Sequence, residues 1–338
     1  MFKTIFSFAV IAATVFSSCS KDPVLNQDPQ EPISGTIITV NLENSEPQTR
    51  GFLDDASNVE TWEKEIKYVT LFAFDSQQGL IKRETFDKSK IKDNRITMEL
   101  PYVLANRQCA IFAAVNTQIP DNVLTIERLN QRTEGSALDY NGVFTEITKH
   151  SMRSDGFAMS GVNLVTLEQP GTESRLSINL KRIVSKMAIE TRIDPDFIAA
   201  LRGHFILKNI SVGGSFAKTA LFEGTNLIFG EDKDDFSQVP NFANGSYNNL
   251  FYLNPTDVHM VNIAFTLAYD ADGDLSDSSD QTEYHFVKRI PNEIVRNTYY
   301  KVLCNVSGTS PISPSISLNV LEWDMGDENS FDEDITLK

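Results

Sequence analysis

The chain is poor in nearly everything that carries catalysis or covalent cross-linking. Its 338 residues include three cysteines, four histidines and two tryptophans. So few cysteines cannot build a disulfide framework. Cys109 and Cys304 stand in strand-like apolar runs (Gln108 to Phe112, Val302 to Val306), where a free thiol behaves as a small hydrophobe. The histidines, at 150, 204, 259 and 285, are never within metal-ligand spacing of one another. There is no Gly-x-Ser-x-Gly elbow, no phosphate loop and no Cys-x-x-Cys pair. The chain is therefore read as a non-enzyme without a cofactor. Positive charge is also scarce: 30 Lys plus Arg against 46 Asp plus Glu give a net charge of −16. That balance argues against nucleic acid and against electrostatic binding to an anionic membrane. No apolar run beyond the first residues approaches the ~18 needed to span a bilayer.

What is present begins at the N-terminus. Met1 to Ser18 carries one early charge, Lys3, an apolar run from Ile5 to Phe16, and then Ser17-Ser18-Cys19. A short apolar core ending in small residues is a secretory signal. The cysteine placed directly after it makes residues 1–18 a lipoprotein signal peptide and Cys19 the lipidation residue. Residues 19–50 read as a propeptide. They hold a strand-like stretch, Thr36 to Leu42, with Ile38, Val40 and Leu42 on one parity, followed by Arg50-Gly51 in a Pro/Gln/Thr-rich linker. Such a linker is open to proteolysis, and Arg50-Gly51 is the candidate processing site.

From about residue 65 the pattern is mostly strands. Ile66 to Phe74 alternates with apolar residues on both faces, and Asp75 to Gly79 turns the chain back into Leu80 to Phe86. Arg95 to Leu100 alternates cleanly, with Ile96, Met98 and Leu100 inward. Residues 121–150 are the helical part, with Val123, Ile126 and Leu129 on one stripe. A second series of strands runs from Lys186 to Leu321. Short strands with turn signals between them predict an all-β chain of two β-sandwich domains with short helical insertions, 51–182 and 183–338.

The sharpest acidic cluster is Asp270-Ala-Asp-Gly-Asp-Leu-Ser-Asp-Ser-Ser-Asp280. Asp270, Asp272 and Asp274 alternate like the start of a calcium loop and are the calcium candidates. However, glycine falls at the fourth position and the twelfth is Gln281. The reading adopted is a solvated hairpin loop and no metal.

Taken in order, these pieces resemble the FimA/Mfa-type fimbrillins, the type V pilins. The resemblance starts with the signal at Cys19 and the basic point at Arg50. It continues through Trp62 to Asp75 and the junction Leu180 to Ile189, and ends with Asn297 to Val306 and Leu318 to Trp323. It implies two transthyretin-like sandwiches, exported as a lipidated precursor to the outer membrane and the surface fimbrium. An arginine-specific protease would remove the strand of Ile38, Val40 and Leu42, taken as an edge strand, and a neighbour's C-terminal strand would fill the groove. The donor candidate here is the tail, where Phe331, Ile335 and Leu337 share one parity and Glu333 falls on the same face. The implied partners are other fimbrial subunits. The leading expectation is a polymerising stalk subunit supporting adhesion. The alternatives are a tip or anchor subunit, or a lipid-anchored glycan-binding surface protein.

Overall fold

Arg95 to Leu100 shows how the pattern becomes structure: Ile96, Met98 and Leu100 are buried and the residues between them exposed. The computed structural model describes residues 36–44, 60–101, 107–169, 172–199, 203–223, 232–274, 277–310, 313–322 and 329–331. Just over half of these lie in strands, and the chain is an all-β sandwich protein with short helical insertions.

Residues 36–182 supply the seven strands of one sheet: β1 (Thr36–Asn44), β2 (Tyr68–Phe74), β3 (Leu80–Asp87), β4 (Arg95–Leu100), β5 (Gln108–Val115), β7 (Met159–Thr166) and β8 (Glu173–Arg182). They hydrogen-bond in the order β3-β2-β5-β7-β8-β1-β4. Between β7 and β8 only Met159–Arg182 and Ser160–Lys181 are paired, so the sheet folds over at that line. The apolar face of β8-β1-β4 then lies against that of β2, β5 and β7 in one core. A Cβ at Gly161 would stand 2.5 Å from the carbonyl oxygen of Asn179, so the fold-over needs glycine there.

The strand-like stretch at 36–42 is not an edge strand. β1 is the middle strand of its layer, parallel to β8 and antiparallel to β4. The expectation of an edge comes with the strand-removal scheme that the resemblance implies. Ladders on both edges and a largely apolar inner side place it in the centre instead.

Residues 185–331 build two further sheets. One holds β13 (Asn241–Ala243), β14 (Ser246–Leu253), β9 (Ser185–Ile193), β17 (Tyr299–Gly308), β18 (Pro314–Glu322) and β19 (Asn329–Phe331), in that order. The other holds β12 (Lys233–Gln238), β10 (His204–Phe216), β15 (Asn262–Asp270) and β16 (Thr282–Arg289). Here too the first strand is central: β9 is parallel to β17 and antiparallel to β14. The sequence reading passed over β12 to β14 altogether.

The helical segment is three short turns: α1 (Ile126–Asn130), a 3-10 turn at Ala137–Tyr140, and α2 (Phe144–Ile147). Their apolar side, Val123, Leu129, Ala137, Tyr140, Phe144 and Ile147, joins the outer face of β2 and β5 to the core of the later strands. A two-residue ladder between β6 (Thr133–Glu134) and β11 (Thr219–Ala220) also crosses between the halves. Residues Ser34–Lys338 form one compact unit.

Candidate functional site

The strand that fills the middle of the first sandwich is the most distinctive feature, because long connections bracket it. The chain ahead of it and residues 45–59 behind it lie outside the described residues, and so do Cys19, Arg50 and Gly51. On its inner side Thr36, Ile38 and Val40 are 0% exposed and Leu42 is 1% exposed. The three aliphatic residues share a core with Val69, Leu71, Ile111 and Ile178. On the outer side Thr39 and Thr97 hydroxyls meet at 3.3 Å, and Asn41 Nδ2 donates to Glu43 Oε1 at 2.9 Å. Burying three aliphatic side chains is worth roughly 5–9 kcal/mol before conformational costs, as an upper bound. Backbone pairs run from Thr36–Leu100 to Asn41–Arg95 on one edge, and from Ile37–Glu173 to Asn44–Leu180 on the other. An empty slot here would expose two unpaired strand edges and a row of apolar pockets, both of which favour strand addition.

Where the chain is described again it is clasped. A 3-10 turn at Thr61–Lys64 places Glu63, 2% exposed, at the junction of the halves. Its Oε1 accepts from Lys186 Nζ at 2.8 Å and from the Tyr252 hydroxyl, and its carbonyl accepts from Arg182 Nε at 3.1 Å. Arg182 Nη1 donates in turn to Asn297 Oδ1 at 2.9 Å. Burial, and then the Glu63 carboxylate, push the Tyr252 hydroxyl well above the usual tyrosine range. The ring of Trp62 packs between Phe157 and Tyr252, at centroid distances of 5.6 and 6.4 Å. Just beyond, buried Asn116 accepts from the Lys67 amide through Oδ1. Its Nδ2 donates to the carbonyls of Glu65 and Phe157.

Sequence reading marked none of Glu63, Lys186, Tyr252 or Asn116. Their partners are far away in sequence, so no local spacing could have announced them. A left-handed φ of 55° at Asn116 fits asparagine's tolerance of that region and is the one local hint.

The acidic loop joins β15 to β16, as a hairpin. It gathers Asp270, Asp272 and Asp280, not Asp274, with carboxylate atoms within 4.8 Å of one another. Asp270 is buried, accepting from the Gly273 amide at 2.7 Å and from Gln281 Nε2 at 3.1 Å. The Asp274 amide donates to Asp272 Oδ1 at 2.8 Å, so the loop closes on its own backbone. Desolvation, then Asp272 and Asp270, raise the Asp280 carboxyl above its ordinary value. In the tail Phe331 belongs to β19, whose backbone pairs with β18 of the same chain through Leu318–Phe331 and Val320–Asn329. Ile335 and Leu337 lie outside the described residues. Cys109 and Cys304 are both free and buried. No helix among the described residues is long and apolar enough to cross a membrane.

Comparison with known proteins adds the following. Residues 30–328 match the family described as fimbrillin-A associated anchor proteins Mfa1 and Mfa2. No curated protein matches the chain in sequence. In structure it is similar to a fimbrial assembly protein from Parabacteroides distasonis ATCC 8503. That similarity has a TM-score of 0.57 at 13% identity and covers 88% of this chain and 99% of that one. It is also similar to a fimbrilin (fimA) from Porphyromonas gingivalis W83, with a TM-score of 0.51 at 12% identity over 86% and 98% of the two chains. At such identities the structural likeness speaks for the fold.

Proposed function

The chain belongs to the family of fimbrillin-A associated anchor proteins, and from that premise we propose that it is the lipid-tethered, membrane-proximal subunit of a surface fimbrium. It is a fimbrial, adhesion-related protein by family; the anchoring role, the outer-membrane tether at Cys19 and the two domains at 51–182 and 183–338 are our reading. The observation that carries it is the central place of β1. The segment joining Cys19 to the body runs through a strand buried on one face and paired on both edges. A tether wired through the core in this way suits a subunit that keeps its leading segment. The chain's own tail weighs against the donor role that a polymerising stalk subunit needs. Turning Phe331, Ile335 and Leu337 toward another copy's slot brings Glu333 to the same face. A buried, unpaired carboxylate there costs several kcal/mol.

A second reading, the polymerising stalk subunit, keeps one specific support: Arg50-Gly51 falls between β1 and the Trp62–Glu63 clasp. Cutting there by an arginine-specific protease would free β1 while leaving the body fastened. A strand replacing β1 would lie between β8 and β4 and pair with both.

Mass spectrometry of the N-terminal peptide from membrane-derived protein separates the two. Lipidated Cys19 on a chain continuous through Arg50 is the expected result for the anchor. A mature chain beginning at Gly51, with SDS-resistant ladders on electrophoresis, would overturn it in favour of the stalk.

A further inference from the structure

We propose that β1 is a load-bearing strand, carrying tension between the leading segment and the body of the protein in shear. The inference rests on the tethered reading for the source of the load, and on strand register for the way it is borne. β1 begins where Thr36 faces Leu100 and Ile37 faces Glu173. It ends where Asn44 faces Leu180, two residues before Arg182 leads out of the first half. Bonds that tie the halves together gather at this second end. Arg182 reaches Asn297, Lys186 reaches Glu63, and Lys181 reaches Glu223 at 2.8 Å. Ser160, paired with Lys181, donates its hydroxyl to the carbonyl of Leu221.

A pull on the chain ahead of Thr36, resisted by the second half, is therefore directed along β1 and away from its Asn44 end. Ladder hydrogen bonds lie across the strands, so such a force strains both ladders of β1 along their whole length at once. Ile38, Val40 and Leu42 would have to leave their pockets in the same event. A pull between the two neighbours at the Thr36 end would instead open the pairs one after another. Here residues 36–59 follow the point of loading, and once β1 slips they can extend by up to about 80 Å before tension reaches the Trp62–Glu63 clasp. The arrangement is a strong first contact backed by a second, buried fastening.

Single-molecule force measurement on the full chain tests this with two pairs of handles. Both place one handle just ahead of Thr36. The first pair puts the other handle in the turn between β17 and β18, at Ser310, which loads β1 in shear. The second puts it in the turn between β7 and β8, at Gln169, which peels β1 from its Thr36 end. The expected result is a first rupture severalfold stronger for the Ser310 pair at equal loading rate, with a length step of up to about 80 Å. Val40→Ala should lower that first peak and leave later ones unchanged. Equal rupture forces in the two geometries, or a first peak insensitive to Val40→Ala, would overturn the shear geometry. A Gly51 start on membrane-derived protein overturns the tethered reading instead, so the two failures are told apart.

Discussion

Glu63 is a carboxylate taken out of water to hold an ammonium and a phenol, and such a group stabilises only while its partners stay in place. Lys186 lies on β9 and Tyr252 on β14, so the single side chain fastens the residues after the linker to two strands of the second half. Glu63→Gln keeps the shape and removes the charge, leaving the Lys186 ammonium in a site with little water. The expected loss is about 3 kcal/mol in urea unfolding. Adding Lys186→Met to that variant should recover much of it, since replacing both members of a buried pair is close to neutral. A single variant with an unchanged midpoint would show that the pair is not a fastening.

At the scale of elements, the outer edge of β14 beyond Asn248, where its pairing with β13 ends, presents the same hazard as any unpaired strand, and side chains close it. Gln238 Nε2 donates to the Leu250 carbonyl at 2.7 Å, while its Oε1 accepts from the Leu250 amide at 3.4 Å. Two residues on, Asn141 Oδ1 accepts from the Tyr252 amide at 2.8 Å and its Nδ2 donates to the Tyr252 carbonyl at 2.7 Å. Each amide thus imitates one residue of a neighbouring strand. Replacing both, Asn141→Ala with Gln238→Ala, should leave those backbone groups unpaired and produce concentration-dependent self-association in sedimentation velocity. A double variant that sediments as the parent chain does, with unchanged circular dichroism, would refute the sealing role. The slot of β1 is the contrasting case. There the edges of β4 and β8 are closed by a strand on long connections, whereas β9, in the matching position of the second half, continues directly from β8.

Across the whole molecule, buried acids with raised values set the response to pH. Burial pushes the Cys109 thiol up to about 11 and the Cys304 thiol further, against an ordinary value of 9.0. Burial also lifts Tyr68 to about 12, and Tyr252 and Tyr299 well above 10.0. In the unfolded chain these groups lose protons at their ordinary values, while the folded chain holds them. Their contribution is whole below pH 9 and declines as pH rises from there toward each folded value. Stability to urea should therefore fall progressively above pH 9, with the thiols leading and the tyrosines following. A urea midpoint that stays level through the alkaline range would contradict this.

Alternation along strands such as Arg95 to Leu100, and the parity of Ile38, Val40 and Leu42, already decided the all-β class and which side of β1 is apolar, because a strand's two faces are fixed by local geometry. The neighbours of β1 were not legible, since pairing with Glu173 to Leu180 is a choice among all available edges and is made by the folded whole. For the same reason Asp280 rather than Asp274 joins Asp270 and Asp272: the hairpin, not the spacing, brings it near. The sequence determined that an apolar strand precedes Arg50. Only the tertiary structure decided that this strand is central rather than marginal, because burial on one face and ladders on both edges are properties of its surroundings.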